Sequence, residues 1–203
     1  MDIIDEWSLA VDQGFEINCL YLDFMKAFDT VPRQRILHKL ESYGIKGPIL
    51  SWIRDFLSNR VQRVIVNGTP SAWSDALGGI TQGSVFGPLL FFFIFMNDIY
   101  ESLTSSAYLF ADDTKLYRII KESNDTIPLQ EDLNEMINSG DIRLLKFNKE
   151  KCKLLTVNSS MDRNYYIYSN TMSRKLESVT SEKDIGVTFD SKLEFDLHIN
   201  ENK

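Results

Sequence analysis

The stretch LFADDTKLY, from Leu109 to Tyr117, places two aspartates side by side inside an apolar run typical of β-strands. Adjacent carboxylates repel each other and are costly to remove from water, so two aspartates in a run that looks like an interior strand need an explanation. Asp112 and Asp113 either lie at the turn of a hairpin, where Asp side chains bond nearby backbone N–H groups, or face a cation together with another acid. Taken alone, the stretch favours the ordinary turn.

A second acidic segment favours a cation site over an ordinary turn at these aspartates. The segment INCLYLDF, residues 17–24, is short and apolar and ends in Asp23, as a buried strand that presents a side chain at its end would. The strand before Asp112 is apolar too, so two strand ends could meet with their acids converging. Three converging carboxylates repel unless divalent cations neutralise them, and an oxygen-only ligand set favours Mg²⁺ or Mn²⁺ over zinc. Two such ions about 4 Å apart suit in-line phosphoryl chemistry.

The glycine-rich loop GGITQGS is a third candidate element. Gly78, Gly79 and Gly83 allow backbone to approach a ligand closely, and the Gln82 side chain offers both a donor and an acceptor. A loop that leads into a helix N-terminus also suits a phosphate. A tight turn entering a buried helix explains the same residues equally well, and this stretch does not separate the two interpretations.

Composition narrows the class of protein. The chain has 203 residues, 43% of them hydrophobic and 25% charged, which indicates a globular domain. A net charge of −7 argues against coating nucleic acid by charge alone. Two cysteines, Cys19 and Cys152, and two isolated histidines suggest neither a zinc site nor a disulfide framework. The most apolar run, residues 89–96, is far short of the roughly 20 residues that a membrane span needs, so we expect a buried core helix and no membrane partner.

The order of hydrophobic patterns predicts the fold class. An amphipathic helix precedes the strand at residues 17–24, two more helices follow it, and Asn67-Gly68 marks a hairpin. The apolar helix, the aspartate hairpin, a further amphipathic helix and short strands complete the chain. This order is typical of an α+β domain with helices packed on an antiparallel sheet.

Five segments occur in one order along the chain: YLDFMKAFDTVP, GGITQGSVFGPLLF, LFADDTKLY, LLKFNKEKCKLL and DIGVTFDSKL. Together they resemble the reverse transcriptases of non-LTR retrotransposons, the LINE and jockey-like group, over nearly the whole chain. The resemblance implies a right-hand polymerase palm, with an antiparallel sheet packed by helices on one face. It further implies RNA-directed DNA synthesis from an RNA template, a DNA primer and dNTPs, with two Mg²⁺ ions or, alternatively, Mn²⁺.

The resemblance also implies roles for particular residues. Asp23 and Asp112 match the principal metal-binding acids, and Asp113 matches the third catalytic acid. Phe24 matches the position whose backbone approaches the metal and the triphosphate. Phe28 matches the bulky residue under the nucleotide sugar, and Gln82 with Gly83 matches the loop lining the nucleotide pocket. Lys151 matches a lysine that protonates pyrophosphate. Ile185-Gly186-Val187 matches the hairpin that holds the primer end.

Several positions depart from the pattern that the resemblance implies. Thr81 stands where a proline is usual, Phe86 where an aliphatic residue is usual, and Ser139 and Arg143 where two tryptophans are typical. Gly140 further lowers the helix propensity of that segment.

We expect residues 1–160 to form the palm with the fingers largely absent, and residues 161–203 to form the end of the palm, with primer-grip-like strands leading to a missing thumb. The resemblance implies an intracellular location, nuclear or cytoplasmic, and nothing in the sequence indicates an oligomeric state. Three functions stay open: an RNA-directed DNA polymerase palm, an inactive truncated retroelement remnant acting at most as a binding or interaction module, and, more remotely, a metal-dependent nuclease that uses the same acids.

Overall fold

The computed structural model of the protein describes residues 3–76, 78–81, 83–110, 113–159, 161–168 and 173–201. Two predicted site residues, Asp112 and Gln82, lie outside the described residues. The chain divides into two compact units, the first formed by Met1–Met25 and Tyr100–Lys203 and the second by Lys26–Ile99. These two units do not divide the chain at residue 160. The predicted boundary there, between the palm and its end, stays a prediction.

The helices are α1 (Ile3–Asp12), α2 (Ala27–Thr30), α3 (Arg33–Ser42), α4 (Pro48–Leu57), α5 (Phe86–Leu89, continued by a π-helix over Leu90–Met96), α6 (Thr126–Arg143) and α7 (Asp196–Glu201). The strands are β1 (Glu16–Asp23), β2 (Val61–Gln62), β3 (Ile65–Val66), β4 (Thr69–Pro70), β5 (Ser74–Asp75), β6 (Ser106–Phe110), β7 (Asp113–Ile120), β8 (Lys153–Val157), β9 (Tyr166–Tyr168), β10 (Ser173–Lys175), β11 (Glu177–Val179), β12 (Ser181–Asp184) and β13 (Val187–Asp190).

A five-stranded sheet in the order β11-β8-β1-β7-β6 forms the centre of the first unit. Strand β1 lies in the middle and is antiparallel to both of its neighbours, β7 and β8. Strand β6 is antiparallel to β7 as well, so the predicted antiparallel sheet is confirmed for four strands. The edge strand β11 instead runs parallel to β8.

Both faces of the sheet carry helices. On one face Trp7 of α1 packs against Tyr117 of β7, with ring centroids 5.4 Å apart. The next residue, Arg118, points to the other face and donates to the Thr104 hydroxyl, while Asp132 of α6 accepts from the backbone N–H of Thr104. The predicted packing of a sheet by helices is confirmed. The helices occupy two faces and not one, since a central strand that is apolar on both sides must be covered on both.

The second unit contains the predicted hairpin. Asn67 and Gly68 both have positive φ, 49° and 79°, and connect β3 to β4, as a two-residue turn of this type requires. The predicted apolar helix is present as well, over Phe86–Met96. Phe91 and Phe95 are buried, but Phe93 between them is 66% exposed, so the helix buries one side only.

Gly140 of α6 has a structural role that helix propensity does not show. The helix ends at Leu144, which adopts a left-handed conformation, and the backbone N–H of Leu145 then donates to the Gly140 carbonyl over 2.8 Å. A Cβ on Gly140 would lie 2.7 Å from the Leu145 carbonyl oxygen and 3.0 Å from the Phe147 ring. Glycine therefore lets the chain after the helix fold back closely against it.

We predict that Gly140→Ala destabilises the chain by about 1–3 kcal/mol, since overpacking against backbone outweighs the gain in helix propensity. The measurement is the free energy of unfolding in urea. Asn138→Ala, at an exposed position of the same helix, is the matched control and should stabilise slightly. A stability gain in both variants would contradict the close packing at Gly140.

Candidate active site

Two of the three predicted acids lie opposite each other in the central sheet. Asp23 is the last residue of β1, and its antiparallel partner in β7 is Asp113. Side chains of directly opposite residues project from the same face with their Cβ atoms about 4.5–5.5 Å apart. Phe110 of β6 also pairs with Asp113, and the intervening residues, which include Asp112, lie outside the described part of the chain. The predicted convergence of strand ends is therefore present for Asp23 and Asp113.

The segment after α6 holds the end of β1 in place. The backbone N–H of Asn148 donates to the Asp23 carbonyl over 2.8 Å, and that of Met25 donates to the Lys146 carbonyl over 2.7 Å. Between them the rings of Phe24 and Phe147 stack with centroids 4.2 Å apart. Phe24 as a whole is buried, and the role of its backbone at a metal stays a prediction.

Lys151 approaches the first acid directly. Its Nζ lies 3.5 Å from Oδ1 of Asp23, and the lysine side chain is 66% exposed. An ion pair this exposed contributes little to stability and is easily exchanged for another partner. The lysine predicted to act on pyrophosphate thus lies beside the predicted metal-binding carboxylate.

A cleft of about 340 Å³ opens at these residues and carries charges of both signs. Its acidic lining includes Asp23, Asp113 and Asp184, and its basic lining includes Lys151 and Lys153. Lys153 pairs with Glu182 of β12 over 2.8 Å. The cleft is therefore a charged groove between the sheet and the β12–β13 hairpin.

The predicted primer-grip turn lies beside the same acids. Asp184 and Val187 are partners across the β12–β13 hairpin, so Ile185 and Gly186 form its two-residue turn, with φ of 50° and 82°. An adjoining cavity of about 280 Å³ is lined by both Asp113 and Ile185. The first unit thus brings together four of the predicted elements: Asp23, Asp113, Lys151 and the Ile185-Gly186-Val187 turn.

Sequence reasoning missed a buried ion pair next to this turn. The Lys115 ammonium donates to the Asp184 carboxylate, and both side chains are buried. Strand alternation does place Lys115 on the same face as Asp113, two residues away. Its partner carried no signal, because 69 residues separate the two in sequence.

In the second unit the glycine-rich loop packs against α2, the short helix that carries Phe28. The backbone N–H of Ile80 donates to the Phe28 carbonyl over 2.7 Å. A Cβ on Gly79 would lie 2.6 Å from that oxygen, so only glycine permits this approach. The Phe28 ring packs on Phe91 with centroids 4.8 Å apart. Two elements predicted to bind nucleotide are therefore adjacent within this unit, although Gln82 itself lies outside the described residues.

Arg33 holds the same loop and was not singled out from the sequence. Its guanidinium donates to three backbone carbonyls, those of Ala76, Gly78 and Gly79. Burial lowers the pKa of Arg33 from its ordinary value, with the nearby Arg60 acting in the same direction. At the other end of the loop, Gly83 adopts a φ of 76°, a conformation that favours glycine.

The donor set fits a hard divalent cation. Asp23 and Asp113 offer carboxylate oxygens from one face, as Mg²⁺ and Mn²⁺ prefer. Within the described ranges, which omit Asp112, no group of three or more His, Cys, Asp and Glu side chains is arranged to hold a metal. Among the described helices, none is both long and apolar enough to cross a membrane.

Comparison with known proteins defines the class. Residues 9–189 match the family described as reverse transcriptase (RNA-dependent DNA polymerase), a range that contains every predicted site residue. The chain belongs to the reverse transcriptase family, whose members generally use divalent metal ions.

Individual relatives agree with this assignment. The chain is 28% identical over 190 residues to the RNA-directed DNA polymerase from mobile element jockey of Drosophila melanogaster, which covers 88% of this chain and 20% of the relative. It is 24% identical over 197 residues to the retrovirus-related Pol polyprotein from type-1 retrotransposable element R2 of Popillia japonica, covering 88% of this chain and 32% of the relative. The resemblance to non-LTR reverse transcriptases is confirmed, and the chain spans a fifth to a third of the length of these relatives.

A solved structure shows the fold. The apo telomerase of Candida tropicalis, truncated from its C-terminal domain, superposes with a TM-score of 0.57 at 9% identity. The match covers 95% of this chain and 38% of the telomerase chain. The right-hand polymerase fold predicted from the sequence is therefore confirmed.

We predict that both cysteines react at least about a hundredfold more slowly with a thiol reagent at pH 8 in the native chain than in the unfolded one. Burial raises the pKa of Cys152 to about 11 and that of Cys19 to about 12, so the reactive thiolate is scarce at pH 8. The measurement is the rate at which an aromatic disulfide reagent releases its coloured thiolate on reaction with the protein. The control is the same reaction in denaturant, which exposes both thiols. Fast native labelling of Cys152 would show that the turn after Asn148, whose carbonyl accepts from its Sγ, is not packed.

Proposed function

We propose that the chain is the catalytic palm of an RNA-directed DNA polymerase, which extends a DNA primer with dNTPs on an RNA template. The jockey relative carries that activity in its name, but this chain spans only part of its length. The observation that supports the proposal most directly is the pairing of Asp23 with Asp113 across the two central strands.

Two divalent ions, Mg²⁺ or Mn²⁺, would be held by Asp23, Asp112 and Asp113. Such ions lower the pKa of an attacking hydroxyl and stabilise charge on the leaving oxygens. In the transfer, the primer 3′-hydroxyl gives up its proton to solvent, its oxygen bonds to the α-phosphorus of the dNTP, and the bond from that phosphorus to the pyrophosphate oxygen breaks. The carboxylates position the ions and do not act as bases, so their contribution is electrostatic and geometric.

The remaining predicted residues position the reactants. Phe28 would lie under the sugar and exclude a ribose 2′-hydroxyl, and the Gln82-Gly83 loop would line the nucleotide pocket. The packing of Ile80 on the Phe28 carbonyl supports these two assignments, since it places both elements together. Lys151 Nζ would donate a proton to the departing pyrophosphate, and the turn at Ile185-Gly186-Val187 would hold the primer end.

We predict that Asp23→Asn and Asp113→Asn each lower primer extension on an RNA template by about a hundredfold or more. Loss of a residue that only hydrogen-bonds to a metal ligand already costs about 10–100-fold in activity, and loss of the ligand itself should cost at least as much. The measurement is Mg²⁺-dependent incorporation of labelled dNTP, with Asp112→Asn tested alongside. Glu177→Gln, the same chemical change at an exposed position of β11, is the matched control and should leave the rate unchanged.

The same assay separates the proposal from the alternative of an inactive retroelement remnant. The remnant would give the same background with the unsubstituted chain as with Asp112→Asn. Equal backgrounds, in a chain that circular dichroism shows to be folded, would contradict the polymerase proposal for this chain.

We predict that Lys151→Met lowers kcat about a hundredfold, as expected for loss of a general acid, while KM for dNTP changes less. Single-turnover incorporation separates the chemical step from binding. Lys149→Met removes the same charge from the same turn and serves as the control. An unchanged kcat in Lys151→Met would exclude a role in protonating pyrophosphate.

A further inference from the structure

The β12–β13 hairpin is joined to the five-stranded sheet at its open end. These two strands form a sheet of their own. At the open end the backbone N–H of Asn158 donates to the Ser191 carbonyl over 2.9 Å, and that of Ser191 donates to the Thr180 carbonyl over 2.9 Å. The turn at Ile185 and Gly186 is at the opposite end. These hydrogen bonds lie at the end away from the turn, so side-chain contacts nearer to the turn help to set the position of the turn relative to Asp23 and Asp113.

The Lys115–Asp184 ion pair lies where such a restraint is needed. Lys115 follows Asp113 by two residues on β7 and projects from the same face. Asp184 immediately precedes the turn residue Ile185. Their side chains are 9% and 5% exposed. The pair thus connects the strand that carries a catalytic acid to the strand that enters the turn.

Burial makes this pair a geometrically specific contact. A buried ion pair is little screened by salt and tolerates little displacement, because separated charges would remain out of water. The Lys115 ammonium also lies 5.6 Å from the ring centroid of Phe189 on β13, so it contacts both strands of the hairpin. By contrast, the neighbouring Lys153–Glu182 pair is more exposed, at 32% and 21%.

The turn itself requires such support. Ile185 has a φ of 50°, which a β-branched residue rarely adopts, and its side chain is 56% exposed. A strained conformation at an exposed position persists only where the surrounding structure enforces it. The restraint nearest in sequence is the Asp184 side chain, fixed by Lys115.

We propose that Lys115 and Asp184 are positioning residues that fix the Ile185-Gly186 turn relative to Asp23 and Asp113. The ion pair holds the end of the primer-binding hairpin over the metal-binding acids, although neither residue contacts metal or substrate. The roles of the turn and the acids rest on the proposed function, whereas the restraint on the hairpin stands on its own.

The test measures the position of the hairpin directly. Nitroxide labels are attached at Lys183→Cys on β12 and at Asn138→Cys on α6, both exposed positions. Pulsed electron paramagnetic resonance then measures the distance between the two labels, and thus between the hairpin and the helix packed on the sheet. The buried Cys19 and Cys152 are shielded from the reagent. In Lys115→Met we expect the distance distribution to broaden about twofold, since the hairpin then loses its buried ion pair near the turn and keeps only the more exposed Lys153–Glu182 pair and the packing of Phe189 on Trp7. Arg163→Met breaks the Arg163–Glu16 pair in the same unit and should leave the width unchanged.

A double variant keeps the test valid if the single substitution unfolds the chain. Lys115→Met with Asp184→Leu leaves no unpaired buried charge and should fold, yet the distribution should still broaden. Lys115→Arg should retain the narrow distribution. A narrow distribution in either charge-free variant would overturn the proposal. Unfolding of both would overturn it too, since the pair would then support the fold as a whole.

Primer extension distinguishes this proposal from the proposed function. In a chain that is active, Lys115→Met should raise KM for the primer about tenfold with little change in KM for dNTP, and equal changes in both would overturn the positioning role. If the unsubstituted chain shows no extension, the proposed function fails, while the label distances still decide whether the ion pair holds the hairpin.

Discussion

Repulsion between two facing carboxylates is the constraint on which this structure depends. Asp23 and Asp113 are cross-strand partners, and like charges in that relation destabilise a sheet. The register that opposes them is set by the apolar pairs further along the same strands, such as Leu20 with Leu116. A slip of one residue would move each buried side chain to the opposite face, where it would not match the side chains packed there, so the core fixes the acids together at the cost of their repulsion. A divalent cation relieves that repulsion, which is the physical link between this fold and metal-dependent chemistry.

The packing behind the acids serves the same geometry. The Gly140 position lets residues 145–148 fold back against α6, and Phe147 then stacks on Phe24 at the end of β1. Ser139 beside it is buried. Small residues at these two positions therefore accompany a close return of the chain, and at Ser139 the family pattern implied a tryptophan. The segment after this helix is thereby packed closely against the end of the strand that presents Asp23.

Local chemistry determined what could be predicted from the sequence. The Asn67-Gly68 hairpin, the strand that ends at Asp23 and the acids at Asp112-Asp113 all follow from neighbouring residues, and the family resemblance supplied their order and roles. The parallel pairing of β11 and the Lys115–Asp184 contact could not be predicted, because each joins segments far apart in sequence and no residue pattern fixes which segments meet. The second helix-covered face was missed for a similar reason: an apolar strand shows that both sides are buried, but not by what.

Burial assigns different tasks to the lysines around the cleft. Lys151 is largely exposed, and its Nζ lies 3.5 Å from Oδ1 of Asp23. Breaking this contact, so that Asp23 can bind a metal or Lys151 a phosphate, costs about 0–1 kcal/mol. Lys115 is buried against Asp184, and separating that pair would leave two charges out of water, which costs several times more. The first lysine can therefore change partners as a substrate arrives, whereas the second keeps its partner. The same groove thus contains one lysine, Lys151, that can exchange its partner when substrate binds, and another, Lys115, that keeps the hairpin in position. The difference follows from burial, because a buried ion pair costs more to separate than an exposed one.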